Sequence, residues 1–239
     1  MLEKTEGIVL KTIKYGESSL IVKLFTEKFG LIPILFKGIR TNKNKEANIF
    51  QPGFIIDVSI YFKENKNILL SKERNINYVY KSITNNMSKL SIVYFIVEII
   101  LHCTKEQQIN TEEYQYLKEF LLQIDNETEN LENYPLIFMY QLSAILGFKP
   151  MCFDDDENRY FNLEKGVFEE IPPQQQNIDA QKSKYLYHML NTLDNQQKIK
   201  YTTTERQILL DIWINYYQYQ ITEFKKLNTP TILHQILHK

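Results

Sequence analysis

The 239-residue chain is short of the residues from which stapled, metal-bound or nucleophilic sites are made. It has two cysteines, Cys103 and Cys152, which fall in different predicted elements, so cysteine can build neither a disulfide framework nor a four-ligand zinc site. Glycine is scarce at seven, and no phosphate-cradling glycine loop, nucleophile elbow or HExxH pattern occurs. Of the histidines His102, His188, His234 and His238, only the last pair has the i,i+4 spacing of two metal ligands on one helix face; with no adjacent glutamate it reads as an exposed end. Asp154, Asp155 and Asp156 lack the alternating oxygen ligands and the glycine of a calcium loop and read as a solvated turn. Long apolar runs are missing too. The best candidate, Ile92 to Leu101, is interrupted by Glu98 and falls short of the roughly 18 residues a spanning helix needs. The start, MLEKTEGIVL, has neither the basic lead nor the apolar core of a signal peptide. The expectation is a cytoplasmic protein away from membranes, not an enzyme, with no metal and no cofactor.

What is present is an ordinary globular composition, 44% apolar and 24% charged, which argues against wholesale disorder. The aromatic share of 13% accompanies abundant Asn, Lys and Ile, a pattern of low-GC coding, so aromatic counts by themselves are not evidence of base stacking. The overall charge of −1 hides an asymmetry. Residues 1–80 carry 13 Lys plus Arg against 8 Asp plus Glu, a net of +5; residues 81–239 carry 15 against 21, a net of −6. A basic module joined to an acidic one suits a protein that meets a polyanion with one end, although a charge of this size is also that of a simply solvated surface.

Periodicity divides the chain near residue 80. Before it, Gly7–Thr12, Leu20–Phe25, Leu31–Phe36, Phe54–Phe62 and Ile68–Ser71 read as five short strands separated by Gly or polar turns, and the Lys- and Asn-rich TNKNKEAN between the third and fourth reads as a loop. Three strands cannot cover their own edges, and five closed as an OB-type barrel can; such barrels bind oligonucleotides on one face. After residue 80 the apolar residues fall at helical spacing. Met87–Cys103 is apolar on most sides, Thr111 opens a second helix, and Tyr134–Leu146 is a third with Gly147 as its stop. Ser183–Leu193 and Thr204–Lys226 follow, the latter with a capping sequence at Thr202–Glu205, and TPTILHQILHK adds a last amphipathic turn or two. Between Met151 and Pro173 the helical period lapses, and YFNLEKGVFEE reads as a small hairpin. The fold expected is α+β, an N-terminal OB-fold β-barrel over 1–80 and an all-α domain over 81–239, with an inserted hairpin at about 151–173.

The basic residues are the candidate site. Lys37, Arg40, Lys43 and Lys45 lie at the exit of the third strand, Lys11, Lys14 and Lys23 on or beside the first two, and Lys63, Lys66 and Lys72 around the last hairpin. On one side of a closed barrel they would follow a phosphate backbone and bind it with a salt-dependent, largely sequence-independent affinity. Tyr15, Phe36, Tyr61 and Phe62 are available either to stack on bases or to fill the core. A barrel that binds a protein and not DNA is the competing reading, favoured by the near-neutral total charge.

The order Gly16-Glu17-Ser18, Phe25-Thr26, Gly30, Lys37-Gly38-Ile39-Arg40 and Phe50-Gln51-Pro52-Gly53, with LSAILGFKP at Leu142–Pro150, resembles the bacterial DNA repair and recombination mediator family RecO. The resemblance implies an OB domain joined to a helical one. It also implies binding of single- and double-stranded DNA, annealing of complementary strands, and loading of a recombinase onto DNA coated by single-strand-binding protein, together with RecR. By the same resemblance the helical domain would take the acidic, Phe-ended tail of single-strand-binding protein. Many members carry a four-cysteine zinc site just after the GFKP-like segment; here only Cys152 remains, and the YFNLEKGVFEE hairpin stands in its place.

Overall fold

A computed structural model describes residues 1–40, 45–63, 66–198 and 200–237. By packing the chain divides into two compact units, Met1–Thr128 and Glu129–Lys239.

In the first unit, β1 (Leu2–Tyr15), β2 (Ser19–Thr26), β3 (Gly30–Phe36), β4 (Ile55–Tyr61) and β5 (Leu69–Ile76) close a barrel in the order β1-β2-β3-β5-β4, an OB-type arrangement. Closure depends on β1, which is longer than its apolar core Gly7–Thr12 suggests. It pairs with β4 from Leu2 to Ile8 and with β2 from Gly7 to Tyr15, and a bulge between Val9 and Lys11 bends it between the two partners. β5 is likewise longer than expected. Its polar stretch Lys72–Asn75 has no strand-like alternation, and it is extended because β4 supplies a partner from Ile56 to Tyr61. The last seam is thin: β3 and β5 run parallel over two pairs, Ile34↔Leu69 and Leu35↔Leu70.

Strand alternation sends Val9, Val22, Leu24, Ile32, Ile34, Ile56, Val58, Ile60 and Leu69 inward to one core, which Phe36 and Phe50 extend with rings 4.6 Å apart. Residues of the opposite phase, among them Ile8, Leu10, Phe25 and Ile55, are buried as well. They are covered because α1 (Met87–Cys103) and α2 (Thr111–Asn126) pack outside the barrel: Tyr114 of α2 meets the Phe25 ring edge-on at 5.5 Å, and its hydroxyl donates to Glu6 Oε1 at 2.6 Å. The change of period near residue 80 therefore marks the end of the barrel, and the first unit continues past it to Thr128.

The second unit holds α3 (Tyr134–Ile145), the hairpin β6 (Tyr160–Asn162) and β7 (Val167–Glu169), α4 (Ala180–Asp194), α5 (Thr203–Gln220) and α6 (Thr229–Leu237). Gly147, at φ +83°, ends α3 in a Schellman turn in which the Gly147 and Phe148 N–H groups donate to the Ala144 and Ser143 carbonyls. Thr202 and Glu205 form a reciprocal capping box on α5. The hairpin is held to α5 by Gln220 Nε2, which donates to the Leu163 and Glu164 carbonyls at 2.9 Å. α5 stops at Gln220 and does not reach Lys226; a turn at 221–224 lets Phe224 fold back to 5.6 Å from Tyr217 and bury itself.

Candidate nucleic-acid interface

The exit of β3 is tied to the turn between β1 and β2. Gly16, at φ +59°, makes that turn, and Arg40 reaches back to it twice: its backbone N–H donates to Ser18 O at 2.9 Å and its guanidinium to Gly16 O at 3.4 Å. Lys14 sits at the same end, because it pairs across β2 Leu20, whose other neighbour is Phe36, the residue before Lys37. Lys14, Lys37 and Arg40 are exposed, and Ile39 between the last two is fully buried and pins the loop. Lys14, Lys37 and Arg40 thus share one end of the barrel, and no ion pair engages them among the described residues. Lys43 lies outside the described residues, as does the Lys45 side chain, although the Lys45 backbone opens the short 3-10 turn Lys45–Phe50.

The other basic residues separate. Lys11 and Lys23 are cross-strand neighbours, two like charges side by side; the clash is relieved because Lys23 is ion-paired to Glu106 at 2.6 Å. Lys23 is therefore a barrel-to-loop tie as well as a surface cation, whereas Lys11 is exposed. Lys72 is exposed and 3.5 Å from Glu73. Lys63 and Lys66, both exposed, flank a different opening, beside β3 and the start of β5. Of the aromatics, Phe36 is fully buried in the core and has no free face for a base. Tyr15 and Tyr61 are exposed, and Phe62 is half-buried and stacked on Phe29, centroids 4.7 Å apart and planes at 22°. Phe29, Gln107 and Ile109, which line the same opening, are uncharged, and nothing in their local sequence marks them. The last two come from the connection between α1 and α2 and reach the barrel through tertiary contact: Gln107 N–H donates to Leu31 O at 2.9 Å.

In the second unit the residues present do not fit zinc. Cys152 is the single cysteine of this unit, and Asn191 Oδ1 lies 3.8 Å from its sulfur; burial, and after it Asp156, pushes the thiol up to about 11. Among the described residues no group of three His, Cys, Asp or Glu side chains is placed to hold a metal. His238 lies outside the described residues.

Comparison with known proteins decides the family. The model of the recombination protein O N-terminal region matches residues 1–93, and that of its C-terminal region matches residues 84–228. The chain belongs to the RecO family. Several RecO relatives match along nearly their whole length: the protein named DNA repair protein RecO of Flavobacterium psychrophilum is 31% identical over 98% of both chains. Those of Christiangramia forsetii and Azobacteroides pseudotrichonymphae are 29% and 28% identical over 99% of each chain. Gly16-Glu17-Ser18 and Lys37-Gly38-Ile39-Arg40, far apart in the sequence, come together in this chain as the two halves of one hydrogen-bonded barrel end. Among the described residues no helix is long and apolar enough to cross a membrane.

Proposed function

We propose that this RecO-family chain is a non-enzymatic DNA repair and recombination mediator whose barrel grips the phosphate backbone of single- and double-stranded DNA. The observation that carries the reading is the barrel end at which Lys14, Lys37 and Arg40 are presented by a turn that the chain itself rigidifies. Cations held in fixed register along a polyanion release counterions on binding and confer no base preference, which suits a protein that must act on any broken duplex. Lys11, Lys63 and Lys66 extend the footprint, Lys43 and Lys45 follow in the sequence, and Lys23 contributes least because Glu106 neutralises it.

Membership of the family supports the finer roles: annealing of complementary strands, work with RecR, and help in loading a recombinase onto DNA coated by single-strand-binding protein, whose tail the helical unit would take. It supports equally a cytoplasmic location, with association with the nucleoid during repair. A second reading is favoured by one observation. Ile13, Ile21, Leu35, Leu70 and Tyr61 are successive cross-strand partners of one phase, so the outer barrel carries an apolar row, exposed at Ile13 and Tyr61 and half-buried between. Such a row suits a protein partner, and in that reading the barrel is an interaction scaffold.

Fluorescence anisotropy of a labelled single strand across a salt series separates the two. The mediator reading requires affinity to fall with salt, and the K37A/R40A double variant to flatten the slope of log affinity against log salt by about 1.4, roughly 0.7 for each lost phosphate contact. Absence of binding at low salt would reject it in favour of the scaffold.

A further inference from the structure

Because β3 and β5 are paired only at Ile34↔Leu69 and Leu35↔Leu70, the strands part on the Ile32 side and leave a cleft of about 280 Å³. Its floor is the barrel core itself, Ile32 and Leu69, and its wall is the stacked pair of Phe29, from the β2–β3 turn, and Phe62, just past β4. Lys63 and Lys66 stand at the rim, and among the described lining residues there is no carboxylate; Glu64, between the two lysines in the sequence, lies outside the described residues. The larger cavity of the same unit, about 630 Å³, differs in that four carboxylates, Glu6, Glu27, Asp57 and Glu73, line it against three cations, Lys4, Lys28 and Arg74, so it has no preference for an anion.

We infer that this cleft takes one unstacked base of a single DNA strand, with the adjoining phosphate on Lys63 and Lys66. The inference rests on the DNA-binding reading above and adds to it a site for the base. Three observations select this occupant. The volume is near the lower end of small-molecule sites, about 300 Å³, and so suits a single nucleotide-sized group. The surface is aromatic and apolar inside and cationic only at the mouth, the complement of a flat uncharged ring joined to an anion. An extended peptide is disfavoured, since strand addition needs free backbone groups. At this edge β3 offers Pro33, which has no N–H, and Leu31, whose carbonyl already accepts from Gln107.

The test compares two labelled single strands of equal length by anisotropy at one salt concentration, an oligothymidylate and the same backbone without bases. The wild type should bind the thymidylate about tenfold more tightly, the order expected of one stacked base. F62A should lose that preference while keeping its affinity for the baseless strand; F62L, which retains apolar volume without a ring, should do the same and covers the case in which F62A unfolds. The K63Q/K66Q variant should weaken both strands. Equal binding of the two strands by the wild type would overturn the inference and leave the DNA-binding reading standing. Binding of neither would overturn both. The base site also falls if F62L keeps its base preference but loses affinity for an acidic peptide carrying a phenylalanine, which would make the cleft a peptide site.

Discussion

Asp125, at the end of α2, is 2% exposed and organises the junction between barrel and helices. Its carboxylate accepts backbone N–H bonds from Lys81 at 2.9 Å, Ser82 at 2.9 Å and Ile83 at 3.1 Å, and a hydroxyl bond from Tyr78 at 3.1 Å. Its own carbonyl accepts from the Ser82 hydroxyl and from the buried Lys89 ammonium at 3.0 Å. Replacing it by Asn keeps the shape but turns one acceptor oxygen into a donor facing donors. Hydrogen bonds to a charged group contribute about 1.5–3 kcal/mol each, and stranding a buried donor costs about 1–3 kcal/mol. Because the four bonds share one side chain their losses do not add, and D125N should cost about 2–4 kcal/mol. Burial raises the carboxyl pKa, but the three backbone bonds and the Tyr78 hydroxyl outweigh it, leaving the group below the usual Asp range. The folded pKa is depressed, so the stabilisation is fully present above the unfolded value of about 3.9 and is lost as pH falls through the lower folded value. Urea unfolding followed by far-ultraviolet circular dichroism, with hydrogen exchange at the Lys81, Ser82 and Ile83 amides, measures both effects. The wild type should lose stability below about pH 4, and D125N should lose less over the same interval. Unchanged midpoints at pH 7, or unchanged protection at residues 81–83, would refute the argument.

Other outcomes follow from the same geometry. G30A should destabilise far more than G16A: both sit at positive φ, +66° and +59°, but a Cβ on Gly30 would lie 2.2 Å from Gln108 O whereas nothing is within 4 Å of one on Gly16. Thermal unfolding should give about 1–2 kcal/mol for G16A, the strain alone, and a clearly larger loss for G30A. T202A removes the capping box of α5 and should cost about 1 kcal/mol. Trp213, the single tryptophan and part of that same helix, makes intrinsic fluorescence the direct readout, and an unshifted midpoint would mean that the cap is not used. Metal analysis of the purified protein should find no stoichiometric zinc; one zinc per chain would overturn the reading of Cys152.

Local features were legible in the sequence because they are decided over a few residues. The apolar run of α1 begins and ends at Met87 and Cys103 as its pattern suggests, and the hairpin turn at Glu164-Lys165-Gly166, the Gly147 stop and the Thr202–Glu205 cap appear where residue type demands them. The strands were legible in number and their limits were not. Alternation records which face is buried, and says nothing about how far a partner extends a polar strand such as Lys72–Asn75.

By itself, then, the sequence determined the succession of barrel and helices and the basic character of the first 80 residues, and only its resemblance to RecO singled out Lys37-Gly38-Ile39-Arg40 as the segment to mutate first. The tertiary structure alone decided which cations are available. Lys23 is neutralised by Glu106, a residue 83 positions away, while Arg40 is fastened to the turn at Gly16. It also decided that Phe36 is core and that Phe29 and Phe62 meet beside Lys63 and Lys66. The reason is physical: hydrophobic period and charge are properties of a segment, whereas pairing and desolvation are properties of neighbours, and neighbours exist only once the barrel has closed.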